Sequence, residues 1–97
     1  MAPEHRLSLT GEIDRSTASV LRSKLARLIN GSNDHLLLDC AELTFIDSTG
    51  VAALLEANQK LEVDGRHMLI LNVQAGPRRV FESLGLTDLL RFDREPA

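Results

Sequence analysis

Short apolar runs alternate along this chain with segments of helical periodicity, and this alternation restricts the available folds more than any other feature. The alternating pattern of residues 5–10 predicts a first strand, which we expect Gly11 to terminate. The apolar runs 36–38 and 68–71 lie between polar clusters, as is typical of strands that are buried on both faces. The sequence therefore predicts at least three short strands.

The segments between and after these strands carry apolar residues at helical spacing. Residues 16–30 and 49–62 predict two amphipathic helices, and a third, shorter helix is expected from about Pro77 to a stop signal at Gly85. Strands that alternate with helices predict an α/β fold with a small, mainly parallel or mixed sheet. A chain of 97 residues has room for one such domain, spanning residues 1–97.

Charge and aromatic content exclude several classes of partner. Eleven basic and fourteen acidic side chains give a net charge of −3, the wrong sign for a domain that binds by neutralising phosphates. Three phenylalanines without Trp or Tyr offer no platform on which bases or sugars would stack. We therefore expect no direct contact with nucleic acid.

Cysteine usage and the length of the apolar runs indicate the compartment. The single cysteine, Cys40, cannot form an internal disulfide, so nothing calls for an oxidising environment. The longest fully apolar runs, 51–55 and 68–71, are far too short to span a bilayer, and residues 1–10 lack the apolar core of a signal peptide. We expect a cytoplasmic protein without membrane insertion.

Two hydroxyl residues, Ser48 and Thr49, stand where an apolar stretch enters the second predicted helix. A helix N-terminus carries unpaired N–H groups and a partial positive charge, so a phosphoryl group on Ser48 would lie in a favourable field. The alternative is that Ser48 or Thr49 simply caps the helix. Gly50 has no Cβ, so it either lets the backbone of another chain approach or eases packing within this one.

Glu12 and Asp14 follow the first predicted strand directly. Because the carboxyl ends of parallel strands meet at one edge of a sheet, Asp14 is expected near Ser48. The alternative is that Asp14 caps the first helix and that Glu12 is a solvated turn residue.

Hydrolase chemistry is not supported by the spacing of these residues. The G-x-S-x-G pattern of a catalytic serine is absent, and neither His35 nor His67 is placed by sequence to act as its base. A small aspartic protease needs Asp, one hydroxyl residue and Gly in succession, and Thr49 is one residue too many. No phosphate-binding loop, dinucleotide fingerprint, cysteine pair or histidine cluster is present, so we expect no catalytic residue, cofactor or metal.

Three segments, LTGEID at 9–14, LTFIDSTG at 43–50 and VFESLGL at 80–86, resemble in order and spacing the STAS domain of bacterial anti-sigma factor antagonists. The resemblance runs from about residue 7 to residue 92. It implies a small sheet with helices packed mainly on one face, in agreement with the periodicity.

The resemblance also implies a function. In that family the serine directly after the Asp is phosphorylated by an anti-sigma factor that is a serine kinase, and a PP2C-type phosphatase removes the phosphate. Ser48 matches this position, and Thr49 matches a secondary one. The unphosphorylated domain binds the anti-sigma factor and frees the sigma factor, so the protein would regulate transcription under stress without catalysis of its own. The implied partner-binding residues are Asp14, Asp47, Ser48, Thr49, Gly50 and Val51.

The sequence departs from the family pattern at two places. Family members usually carry a further strand before the first one predicted here, and only about five residues are available for it, so a sheet edge is bare or covered by a partner in a homodimer. The second helix begins Val51-Ala52-Ala53, where many antagonists have a second Gly. STAS domains also occur beside lipid and anion transporters, so an accessory subunit of such a transporter is the alternative; the hydroxyl at Ser48 favours the antagonist.

Overall fold

The computed structural model describes residues 4–93, in which strands and helices alternate along a single small α/β domain. The elements are β1 (Glu4–Ile13), α1 (Ala18–Asn30), β2 (His35–Ile46), α2 (Ser48–Val63), β3 (Met68–Leu71), α3 (Ala75–Ser83) and β4 (Arg91–Asp93). The strands lie in the order β1-β2-β3-β4, and every neighbouring pair is parallel. The predicted α/β class is confirmed.

The helices cover one face of the sheet. Parallel crossovers are almost always right-handed, so strands that add in chain order place their connecting helices on the same side. On that side Leu36, Leu38 and Ile70 are fully buried, whereas Leu37 and Leu69 on the opposite face are only half-buried. The expectation that residues 36–38 are buried on both faces is therefore wrong.

The second strand is much longer than the sequence indicates, and it is irregular. The register of β2 against β1 shifts after Ser8 and again after Gly11, so β2 contains two extra residues. Buried positions are consequently spaced two residues apart at the start of the strand and three apart at its end. These positions are Leu36, Leu38, Cys40, Leu43 and Ile46.

Gly11 does not terminate the first strand, contrary to the expectation from sequence. It has a φ of 71°, which favours glycine, and β1 continues beyond it to Ile13. The Thr44 hydroxyl donates a hydrogen bond to the Gly11 carbonyl, with 3.0 Å between the two oxygens. Gly11 therefore lets the first strand follow the irregular path of the second.

The last helices and strand complete the domain. α3 begins at Ala75, two residues before the expected start at Pro77, and ends at Ser83. The expected stop signal, Gly85, follows with a φ of 71°, and the Leu86 amide beyond it donates to the Phe81 carbonyl. The three-residue strand β4 was not expected from the sequence. The longest helix, α2, has 16 residues, and none of the helices between residues 4 and 93 is long and apolar enough to cross a membrane.

Candidate functional site

The carboxyl ends of β1 and β2 lie side by side. Ile13 is the register partner of Ile46, and the Asp47 amide extends the ladder by donating to the Ile13 carbonyl at 3.1 Å. Asp14 and Asp47 directly follow these two isoleucines, and adjacent strands are about 5 Å apart. The structure thus brings Asp14 to the loop that enters α2.

Asp47 caps α2. Its Oδ1 atom accepts hydrogen bonds from the amides of Thr49 at 2.9 Å and Gly50 at 3.0 Å. A carboxylate in this position satisfies two of the unpaired N–H groups at the helix end and stabilises the fold by about 1 kcal/mol. The alternative that Ser48 or Thr49 is the cap is therefore wrong.

This capping arrangement leaves the Ser48 hydroxyl uncommitted. Ser48 is the first residue of α2 and is exposed, and its hydroxyl makes no hydrogen bond to any residue between positions 4 and 93. Thr49 is half-buried. The first turn of α2 contains no acidic side chain, so a negative group attached there would meet the positive end of the helix dipole.

Gly50 and Val51 face inward. A Cβ added to Gly50 would lie 2.7 Å from Cγ2 of Ile13 and 2.8 Å from Cγ1 of Ile46, both closer than real contacts. Val51 is only 1% exposed and belongs to the core. The absent side chain of Gly50 makes room for the sheet of its own chain, so of the two alternatives the structure supports packing within the chain and not the approach of another chain's backbone.

Asp14 organises the turn before α1. Its Oδ1 accepts from the Ser16 hydroxyl at 2.6 Å and from the Ser16 amide at 2.8 Å. The hydroxyl bond, followed by the amide bond, lowers the pKa of Asp14, so this carboxyl is ionised at neutral pH. The N-cap of α1 is Thr17, so Asp14 shapes the preceding turn instead of capping the helix with its side chain.

Phe45 also lies at this edge of the sheet, although no regular pattern in the sequence predicts that it faces outward. The second register shift of β2 falls just before it, so Thr44 and Phe45 both face outward while Leu43 and Ile46 face the core. Phe45 is 46% exposed and precedes Asp47 by two residues. The three-residue spacing from Leu43 to Ile46 is the signal that would have revealed it.

Comparisons with known proteins identify the family. The family model described as "Mlab, STAS domain" matches residues 2–91. An anti-sigma F factor antagonist from Lysinibacillus sphaericus is 30% identical over 81 residues, which are 82% of this chain and 69% of the relative. The family resemblance seen in the sequence is therefore confirmed.

Solved structures show the same fold. The anti-sigma factor antagonist SpoIIAA in its unphosphorylated form matches with a TM-score of 0.84 and 24% identity, covering 99% of this chain and 83% of that one. The Bacillus cell fate determinant SpoIIAA in its phosphorylated form matches with a TM-score of 0.76 and 25% identity, covering 99% and 86%. By its sequence and its fold, this chain belongs to the STAS domain family.

Proposed function

We propose that this chain is an anti-sigma factor antagonist that acts in the cytoplasm by partner switching. The observation that carries the proposal is the exposed, uncommitted hydroxyl of Ser48 at the start of α2, beside an Asp47 that performs the capping. The function named for its curated relative supports the same assignment. In this proposal the chain regulates sigma-factor-dependent transcription and is a substrate of enzymes, with no catalysis of its own.

Ser48 is the proposed phosphorylation site, and Thr49 is secondary. A serine kinase must reach the hydroxyl oxygen, and Ser48 is exposed whereas Thr49 is half-buried. The phosphate would stand at the positive end of α2, so we expect the free energy of unfolding to change by no more than about 1 to 2 kcal/mol. The proposed kinase is the anti-sigma factor itself, and a PP2C-type phosphatase would restore the hydroxyl.

The proposed docking surface consists of Asp14, Phe45, Asp47, Ser48 and Thr49. Phe45 supplies an apolar group that is already held in place by the backbone of β2, and aromatic side chains of this kind often dominate binding energy. Gly50 and Val51 lie beneath this surface, and they would support docking indirectly by fixing the position of α2 against the sheet.

Phosphorylation would block docking by charge. It adds about −1.5 to −2 at neutral pH to an edge that already carries Asp14 and Asp47. A unit charge about 6 Å from an acidic group of the partner, at an effective dielectric constant near 20, is unfavourable by about 2 to 3 kcal/mol when docking excludes water. We therefore expect affinity to fall by roughly 30- to 150-fold on phosphorylation.

The proposal is tested by titrating purified anti-sigma factor kinases from the same genome against three variants by calorimetry. Ser48→Ala should bind like the wild type and resist phosphorylation, whereas Ser48→Asp should bind more weakly. Ser83→Ala removes an exposed hydroxyl of α3, outside the proposed docking surface; as the matched control it should keep both binding and modification at Ser48, as mapped by mass spectrometry. Equal affinities for the wild type, Ser48→Ala and Ser48→Asp would contradict the switch and favour the transporter-subunit alternative.

The contact surface is tested separately with Phe45→Ala. Removing an aromatic anchor commonly costs about 2 kcal/mol or more, so we expect at least a tenfold loss of affinity. Val63→Ala removes a more exposed apolar side chain at the other end of α2 and should bind normally. Unchanged binding of Phe45→Ala would remove Phe45 from the docking surface and leave the role of Ser48 intact.

A further inference from the structure

Two carboxylates at the carboxyl edge of the sheet are held in the same way. Asp14 and Asp47 each use Oδ1 to accept a hydrogen bond from the backbone amide two residues later, at 2.8 Å for Asp14 and 2.9 Å for Asp47. Neither Oδ2 atom accepts a hydrogen bond from any residue between positions 4 and 93. Each side chain is therefore fixed through one oxygen and keeps the other available as an acceptor.

The two carboxylates differ in their second donor. For Asp47 this donor is the Gly50 amide, a backbone group that every residue type except proline provides. For Asp14 it is the hydroxyl of Ser16, whose oxygen lies 2.6 Å from Oδ1. The Thr17 hydroxyl is 3.5 Å from the same atom, at the limit of a hydrogen bond, so Ser16 makes the stronger side-chain contact. The orientation of Asp14 therefore depends on which side chain occupies position 16.

The backbone of this turn is held without the Ser16 hydroxyl. The amides of Thr17 and Ala18 donate to the Asp14 carbonyl at 3.1 and 2.9 Å, and the Asp14 amide donates to the Thr17 hydroxyl at 3.0 Å. Ser16 is exposed, and among residues 4–93 its hydroxyl bonds to Asp14 alone. The Ser16 hydroxyl therefore acts on the Asp14 carboxylate more than on the path of the chain.

We infer that Ser16 is a positioning residue for docking, which holds Asp14 so that its Oδ2 atom meets a hydrogen-bond donor of the anti-sigma factor. The inference rests on the proposed function. An ionised carboxylate only accepts hydrogen bonds, so the partner group is an N–H or O–H donor. The Ser16 hydroxyl also lowers the pKa of Asp14, which keeps the carboxylate ionised at neutral pH. Because a side chain that is already fixed loses less conformational freedom on binding, the hydroxyl raises affinity.

The test measures the affinity of anti-sigma factor kinases from the same genome by calorimetry. Ser16→Ala frees the Asp14 side chain and should weaken binding roughly three- to tenfold, the usual effect of having to immobilise one side chain. Ser16→Thr keeps a hydroxyl at this position and should restore binding. Ser19→Ala is the matched control, because it removes an exposed hydroxyl from the first turn of α1, and it should bind like the wild type.

A second substitution shows whether Ser16 acts through Asp14. Asp14→Asn should itself weaken binding, because the amide nitrogen that replaces one carboxylate oxygen is a donor and not an acceptor. If Ser16 acts by positioning the carboxylate, Ser16→Ala should weaken binding less in the Asp14→Asn background than in the wild type. A purely structural role of Ser16 would instead produce the same fold-loss of affinity in both backgrounds. Circular dichroism confirms that each variant is folded.

Titration of the free chain gives a readout that needs no partner. NMR of the side-chain carboxyl should show that Ser16→Ala raises the pKa of Asp14, whereas Ser16→Thr and Ser19→Ala leave it unchanged. An unchanged pKa in Ser16→Ala, or equal losses of affinity in the two backgrounds, would overturn the inference. So would full binding by Ser16→Ala to a kinase that the wild type binds, an outcome that leaves the proposed function intact. A wild type that binds none of these kinases would overturn both.

Discussion

Gly50 on α2 and Ile13 on β1 approach each other so closely that a Cβ on residue 50 would lie 2.7 Å from Cγ2 of Ile13. Ile46, the register partner of Ile13, closes the same space from β2 at 2.8 Å. Because residue 50 has no side chain, the start of α2 packs directly against the ends of both strands. This contact sets the height of Ser48 above the sheet.

Gly50→Ala should destabilise the domain by roughly 1 to 2 kcal/mol. Overpacking of a core typically destabilises a protein by about 1 to 3 kcal/mol, and the better helix propensity of Ala offsets up to about 1 kcal/mol of this loss. Urea unfolding measures the difference. In an Ile46→Val background, which lacks the Cδ1 atom 3.2 Å from that Cβ, the penalty for Gly50→Ala should be smaller than in the wild type. A Gly50→Ala protein as stable as the wild type would refute the packing argument.

Arg66 should be essential for stability. It is buried, and its Nη1 atom donates to the carbonyls of Ile29 at 3.0 Å and Ser32 at 2.7 Å, tying the end of α1 to the turn before β3. Arg66→Met leaves these carbonyls without that donor, so we expect a loss of about 2 to 4 kcal/mol in the free energy of unfolding. Arg79→Met, at an exposed position, should change it by less than about 0.5 kcal/mol. Similar values for the two variants would contradict this role.

Asp39 should make stability depend on pH. The Arg6 guanidinium, at 2.8 Å, lowers the pKa of Asp39 most, followed by the Ala41 amide and the Asn72 side chain. A carboxyl whose pKa is lower in the folded state stabilises the fold above its unfolded value near 4 and loses that contribution as the pH falls through the folded value. Asp39→Asn should therefore be less stable than the wild type by about 1 kcal/mol at pH 7.

The difference between Asp39→Asn and the wild type should shrink toward zero as the pH falls below about 3, since both side chains are then neutral. Denaturant titrations at pH 7, 4 and 2.5 would measure it. Asp88→Asn, at an exposed position, should show no comparable difference at any pH. A gap between Asp39→Asn and the wild type that is constant with pH would mean that the carboxylate charge is unimportant.

Cys40 should be inert in the folded protein. The side chain is fully buried, and burial, with a smaller contribution from Asp39, raises the pKa of its thiol to about 12. Since only the thiolate reacts, labelling by a disulfide reagent at pH 8 should be at least about 100-fold slower than in 6 M urea. Ser83→Cys in a Cys40→Ala background places a thiol at an exposed position and should react at once. Rapid labelling of native Cys40 would show that the core opens easily.

Periodicity in the sequence predicts most of the fold. α1, α2 and β3 begin and end within about two residues of their predicted limits, because their apolar spacing is regular. The second half of β2 escapes prediction because two extra residues change the spacing of its buried positions from two to three, which no regular element shows. β4 has only three residues, too few to display a period.

The candidate site is only partly predictable from the sequence, because part of it depends on contacts between elements. The hydroxyls at the start of α2 are visible in the sequence, since helix ends have recognisable chemistry. The outward direction of Phe45 and the inward direction of Gly50 depend on strand register and on packing across the sheet. The role of Arg66 is not predictable from the sequence, because a charged residue in a turn resembles a solvated one until its buried carbonyl partners are known.

The strand order β1-β2-β3-β4 follows the order of the chain, so the proposed docking surface is built entirely from residues before position 52. β3 and β4 extend the sheet on the far side of β2 from β1. We therefore expect substitutions in the last third of the chain to act on the core and on stability more than on this proposed surface. Chimaeras that exchange residues 64–97 between relatives should then differ in stability, whereas the partner that each chimaera binds should be set by the first part of its chain.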